Sequence, residues 1–459
     1  MLSHRNFDST DILFSLVYLV IIFIIANFIR GFNIKKRPEY AYLFKAMGIK
    51  IFGSMAFAFV YLFYYGDGDT VYYFEGASTL TNYIYKDPFQ YIRLLFSSTE
   101  FPYDLNHVHS EILFSNSGEE WFMVKIVSIL NIVAFDRYFI NSIIISMVSL
   151  WGSWRMFQGF LMFEPKYKNL TFWAVFGVPS VIFWGSGLLK DTITFAFLGV
   201  FFYHSMKVFF KYQFKAKSIF AITFSMFIIF NIKAYIILSF LPVLLIGWIV
   251  YNRKSIKSTF IRNIITPFLL ISGIGAAVVI VPTIAQSSDK YKFENLESRL
   301  KGFHSWHSSL GGSSYDLHVT DYSVPSILAK IPASLNVTFY RPYVTEIRNA
   351  VSAIGALESL LFLVLSIIIL IRLRLKLLVI IFDSPILIIA LFYCIIFGFA
   401  VGFTSYNFGA LARYKIPTMP FFAYLVLYLF NYYRIHRFDK AEERERSMER
   451  PAEIKQAKD

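Results

Sequence analysis

The chain has 459 residues, of which 56% are hydrophobic, 19% are aromatic and only 16% carry charge, well below the roughly one quarter usual in soluble domains. That much apolar surface excludes a water-soluble fold, and the net charge of +14 does not signal nucleic acid, because the basic residues sit in short loops between apolar stretches. The single cysteine, Cys394, lies in an apolar stretch and excludes both a disulfide framework and a cysteine-based metal site.

The apolar stretches recur at lengths near the ~20 residues that cross a bilayer as helix. The expected fold is therefore all-α, a polytopic transmembrane bundle of about 11 spans with two long outer loops carrying interfacial helices. Ile12 to Ile29 reads as a retained first helix, since it lacks a small-residue cleavage site. Lys35-Lys36-Arg37 follows as the first cytoplasmic loop by the positive-inside rule, joined by Lys211 to Lys217, Asn252 to Arg262, Arg372 to Lys376 and the tail from Arg434. Residues 1–46 thus form an extra helix and basic loop, residues 47–433 the membrane core, and residues 434–459 a charged tail.

A second helix, 47–65, ends at Gly66-Asp67-Gly68-Asp69-Thr70. Two carboxylates where a membrane helix meets water are costly unless they bind, pair or catalyse. With one glycine between them they are able to turn toward one cation or one polar substrate, or simply to cap a helix. They open an acid-rich outer segment, 66–120, with aromatic clusters suited to helices at headgroup level. Trp121 to Phe135 is too short and too charged at Lys125 for a comfortable span and is expected to be interfacial or re-entrant, whereas Phe139 to Phe163 is expected to cross.

Further helices are expected near 170–186, 191–210, 218–231, 235–251, 263–284, 352–371, 380–403 and 416–433. The link Phe183 to Asp191 places Lys190 and Asp191 at the outer face, as an ion pair with Asp191 capping the next helix or as a phosphate site with Asp191 holding Lys190. Asn231-Ile232-Lys233-Ala234-Tyr235 is the tip of a tight helical hairpin, with Lys233 either snorkelling or binding phosphate. Arg341 begins Arg341-Pro342-Tyr343-Val344-Thr345-Glu346, and Glu358, in the apolar helix that follows, calls for an arginine partner. Arg413-Tyr414-Lys415-Ile416-Pro417 opens the final helix, where Arg413 is either a headgroup anchor or a bidentate phosphate ligand. His107, His109, His304 and His307 read as loop histidines, and Gly311 to Ser314, in the second outer loop 285–350, as a mobile lid.

With Asp67 and Asp69 after a membrane helix, the Pro179 to Asp191 turn, and Arg413-Tyr414-Lys415-Ile416-Pro417-Thr418-Met419-Pro420, the chain resembles the GT-C class of integral-membrane glycosyltransferases. It equally resembles the related polysaccharide polymerases of bacterial envelopes, and lacks the Trp-Trp-Asp signature of oligosaccharyltransferases. The resemblance implies a polyprenyl-phosphate-linked sugar donor whose anionic head is held by Lys190, Lys233, Arg341 and Arg413, with Asp191, Tyr235 and Tyr414 beside them. Asp69 or Asp67 would take the proton of an acceptor hydroxyl on a glycan or lipid, with inversion. No cofactor is required, and a divalent cation (Mg2+ or Mn2+) at Asp67 and Asp69 is optional. The implied setting is the bacterial inner membrane, with the active face periplasmic. A transporter or flippase of lipid-linked glycans, and a non-enzymatic envelope-assembly protein, are the competing expectations; a transporter needs its charges near mid-membrane, an enzyme of this kind on one face.

Overall fold

The computed structural model describes residues 9–99, 105–253, 314–319, 321 and 324–435. Every regular element among them is helical, as a lipid solvent that leaves no partner for an open strand requires. In chain order they are α1 (Ser9–Asn33), α2 (Leu43–Phe59), α3 (Asp69–Lys86), α4 (Pro88–Phe96), α5 (Asn106–Glu111), α6 (Gly118–Ala134), α7 (Tyr138–Leu161), α8 (Lys168–Phe176) and α9 (Pro179–Trp184). Then follow α10 (Lys190–Ser205), α11 (Ala216–Arg253), α12 (Val324–Ala329), α13 (Ile331–Tyr340), α14 (Ala350–Leu373), α15 (Lys376–Asp383), α16 (Pro385–Thr404) and α17 (Phe408–Tyr414). A last helix, α18, occupies residues 419–435.

Six helices among the described residues are long and apolar enough to cross a membrane: Thr10–Asn33, Pro38–Tyr65, Lys190–Phe210, Ala216–Arg253, Ala350–Leu373 and Pro385–Thr404. The helix expected at 263–284, most of the outer loop 285–350 and the tail beyond 435 lie outside the described residues.

Two of the expected spans are broken, each at a proline. The stretch 170–186 divides into α8 and α9 at Pro179, and 380–403 into α15 and α16 at Pro385. Proline lacks the N–H that continues a helix and pushes the preceding residue out of the helical region; Val178 and Ser384 are both extended. The Asn231 to Tyr235 hairpin forms as expected. Lys233 leaves helical geometry at φ −150°, ψ 73°, and the Tyr212 hydroxyl donates to Asn252 Oδ1 at 2.6 Å, so the far ends of the two arms lie side by side. The first arm runs against α10 through His204 and Ser218, the second along it through Phe210 and Tyr251.

The core is built where small residues let backbones meet. Gly152 of α7 and Gly199 of α10 cross so closely that a Cβ on Gly152 would lie 2.1 Å from the Ala196 carbonyl oxygen, the small-residue packing of lipid-embedded helices. Gly53 of α2 meets the Ile182 carbonyl of α9 in the same way. Phe421 of α18 fills the centre against Phe160, Phe202, Phe240 and Tyr393. α1 is peripheral, with Phe28 and Phe32 exposed, and is pinned at its start by an Asp11–Arg137 ion pair.

Candidate functional site

The turn between α2 and α3 is set by glycines. A π-helical turn, Val60–Tyr65, closes on Gly66 at φ 72°, and Gly68 at φ 134° precedes α3; both angles are costly for any residue with a Cβ. Gly68 also lies flat on Tyr61, whose ring would be 2.7 Å from an added Cβ. This reversal sends the two aspartates to different places. Asp67 is exposed, accepting from the Gly68 N–H at 2.6 Å and the Tyr72 hydroxyl at 2.9 Å. Asp69 turns inward.

There it meets Arg413, which comes from the last turn of α17, a short helix capped by the Asn407 side chain and ended by the 415–418 turns at Pro417. Arg413 Nη2 donates to Asp69 Oδ2 at 2.9 Å and to Asp191 Oδ2 at 3.2 Å, joining segments 344 and 222 residues apart. The second oxygen of Asp191 is taken by Lys233 at the hairpin tip, and the Lys233 ammonium lies 4.3 Å from the Tyr414 ring centre. Lys190 is held by Glu120 and, at 3.5 Å, by Glu119, both in the first turn of α6. Burial alone would lower the Arg413 pKa; Asp191 and Asp69 outweigh it and keep the guanidinium firmly charged. Burial likewise raises the Glu120 carboxyl, and Lys190 more than reverses this, leaving it below its ordinary value.

The network therefore gathers three cations, Lys190, Lys233 and Arg413, and four carboxylates, Asp69, Asp191, Glu119 and Glu120. Asp191 is almost wholly enclosed, with its side chain 3% exposed, whereas that of Asp69 is 40% exposed. The open side of the site is thus a carboxylate backed by an arginine, a group able to accept a proton or a hydroxyl hydrogen bond. Arg413 Nε is buried with no hydrogen-bond partner, so the guanidinium has donor capacity left over.

Several expected roles change. Asp191 does not cap α10, whose N-cap is Leu189 without a side-chain cap; its oxygens go to Lys233 and Arg413 instead, because two buried cations outbid backbone amides. Lys190 is not paired with Asp191 but with α6. Arg341 stays outside the network: Glu346 binds it, with Nε 3.1 Å from Oε2, and it lies 5.1 Å from the Phe408 ring centre at the start of α17. Tyr235 stacks on Phe397 of α16, 5.9 Å between centroids. Glu358 finds Lys415, not an arginine, at 3.2 Å, and also accepts the Ser180 N–H at 2.6 Å and its hydroxyl at 3.0 Å, since α9 brings its uncapped start there. His107 is in α5 rather than a loop; the side chain of His109, and His304, His307 and Gly311 to Ser313, lie outside the described residues. Ser314 pairs with Asn407 in an antiparallel bridge just before α17.

Asp67 and Asp69 have separate partners, and no group of three or more metal-ligating side chains occurs among the described residues. Three contributors escape a reading of the sequence. Glu119 and Glu120 look like part of an acidic surface, although a buried Lys190 needs anions and theirs are the ones opening a helix. Lys50, inconspicuous within the apolar second helix, is 1% exposed and donates at 2.9 Å to both Ser149 Oγ and the Gly185 carbonyl, fastening the turn that carries Lys190 and Asp191.

Compared with known proteins, the chain matches no family model, no curated protein and no solved structure.

Proposed function

We propose that the protein is a membrane glycosyltransferase, or a polysaccharide polymerase of that kind, moving a sugar from a polyprenyl-phosphate-linked donor to an acceptor hydroxyl on a glycan or lipid. The observation that carries this reading is the single guanidinium of Arg413 bridging the half-exposed Asp69 and the enclosed Asp191. Lys190–Phe210 is 21 residues long, roughly 31 Å of helix, so Asp191 at its start falls at the edge of the hydrocarbon. A lipid-borne phosphate arrives at that depth.

In the proposed reaction the acceptor oxygen attacks the anomeric carbon as its proton passes to Asp69. The bond from that carbon to the phosphate oxygen breaks, the electron pair leaves with the lipid phosphate, and configuration inverts. Arg413, with Lys233 and Lys190 behind it, stabilises the charge that builds on the departing oxygen. Each cation also faces a carboxylate, so the phosphate shares these charges rather than meeting bare ones; Asp191 keeps Arg413 and Lys233 in place for it. The setting that fits best is a bacterial inner membrane with this end of the bundle outside. Grouping of the charges at one end of α10 and the hairpin favours an enzyme over a transporter, whose site would be reached from both faces.

Purified protein given a lipid-linked sugar and an acceptor tests this. Asp69→Asn, Asp191→Asn and Arg413→Ala are each expected to lower transfer by at least about 100-fold, the scale of losing one preorganised charge-stabilising group, while the protein still extracts as a monodisperse species. Full transfer in all three would discard the mechanism.

A further inference from the structure

The far end of α10 carries a second charged feature that the proposed reaction does not use. A cavity of about 440 Å³ opens there between the α1–α2 link, the end of α7, the start of α8 and the end of α10. Arg37, Lys168, Lys207 and Lys211 line it, with Glu39 as its one acidic wall residue. None of the four cations forms an ion pair among the described residues, and the Glu39 carboxylate is already approached by the Gln158 amide at 3.4 Å. Tyr203, also in the wall, is flanked by two cations at once, with Lys207 Nζ 4.6 Å and Arg155 Cζ 5.2 Å from its ring centre. Like charges drawn around one hollow repel unless an anion sits among them.

Retention of topology explains basic loops but not their convergence. Lys35 and Lys36 serve topology while exposed, as Arg37 and Lys211 at the rim also are, whereas Lys168 and Lys207 are half-buried and face the cavity from different segments. The volume lies within the range of small-ligand sites, and Leu161 and Met162 add an apolar wall. Basic hollows between membrane helices on the cytoplasmic side are suited to lipid phosphates, and this end is the cytoplasmic one by its charge. We propose that this cavity is a binding site for a phosphate-bearing anion, the chemistry shared by an anionic phospholipid headgroup and a soluble phosphoester.

The test uses the full chain in neutral detergent, titrated with phosphatidylglycerol, with phosphatidylcholine of the same acyl chains, and with glycerol 3-phosphate, following bound lipid by native mass spectrometry and thermal stability. Preferential binding of phosphatidylglycerol assigns the site to lipid; an equal response to glycerol 3-phosphate assigns it to a soluble phosphoester. Lys168→Gln with Lys207→Gln is expected to weaken binding roughly 25-fold, at about fivefold per cation, while Lys45→Gln with Lys215→Gln, outside the cavity, changes it less than twofold. Should the first pair fail to fold, lysine acetylation of the unmutated protein decides: phosphatidylglycerol or glycerol 3-phosphate should protect Lys168 and Lys207 but not Lys45 and Lys215. No preference for either phosphate compound, equal loss in both variant pairs, or no selective protection overturns the proposal.

Discussion

Lys415 and Glu358 are 3% and 1% exposed at their side chains, so neither charge of the pair reaches water. Separating such a pair by removing one member strands the other, at a cost of about 3–5 kcal/mol, whereas replacing both with apolar groups is often neutral. Glu358→Gln is therefore expected to lower stability by an amount on that scale, and Glu358→Gln with Lys415→Met to recover most of it, read by thermal unfolding in detergent. A small effect from the single change would show that the pair holds nothing in place. The sequence showed that Glu358 needed a cation, because a carboxylate in an apolar helix always does. Its choice of Lys415 was not legible, since that depends on α9 breaking at Pro179 and delivering Ser180 to the same carboxylate. Asp69 and Arg413 stood out in the sequence for another reason, as charges at the ends of apolar stretches, but their contact across 344 residues depends on the glycine turn at Gly66 and Gly68 and on the short helix α17, which hydropathy does not show.

Helix-level features follow from glycine, proline and the charges of first turns. Gly152 and Gly199 stand against each other's helices at distances no Cβ tolerates. Gly152→Ala or Gly199→Ala is expected to cost about 1–3 kcal/mol through forced separation of α7 and α10, and the two together less than the sum because they relieve each other at one crossing. Thermal unfolding of the three variants checks this, and strict additivity would argue against a shared contact. The ion pair that ties the first turn of α6 to Lys190 at the start of α10 is instead pH-sensitive. Glu120 has a folded pKa below its ordinary value of 4.5, so the Lys190 pair stabilises the folded state above that pH, and the contribution is lost as pH falls below about 4.5 through the depressed folded value. Glu120→Gln should flatten the stability profile over that window while leaving it unchanged in shape near neutrality; an unaltered acid limb would remove Glu120 from the account. The prolines explain why boundaries were less legible than elements: the runs 170–186 and 380–403 are each apolar enough to pass for one helix, and Pro179 and Pro385, with the extended residues Val178 and Ser384 before them, divide them.

Seen whole, the bundle is polar at its two ends in different ways. At one end carboxylates outnumber cations around Arg413; at the other, four cations surround one glutamate. α10 and the π-helical turn Met206–Phe210 after it connect them, with Asp191 and Lys207 separated by roughly 24 Å at about 1.5 Å per residue, and the hairpin runs the same way with Lys233 at the tip and Tyr212 and Asn252 closing its base. On the proposed reading the membrane normal runs along α10, which would put Asp67 and Lys211 on opposite sides with the cationic end inside. The lone cysteine makes this directly measurable. In a Cys394→Ala background, Asp67→Cys is expected to react with an impermeant maleimide from outside intact spheroplasts, and Lys211→Cys only after permeabilisation. Labelling of both from the same side would mean that the two charged ends do not face opposite compartments, and the proposed placement of the site at one membrane face would fail with it.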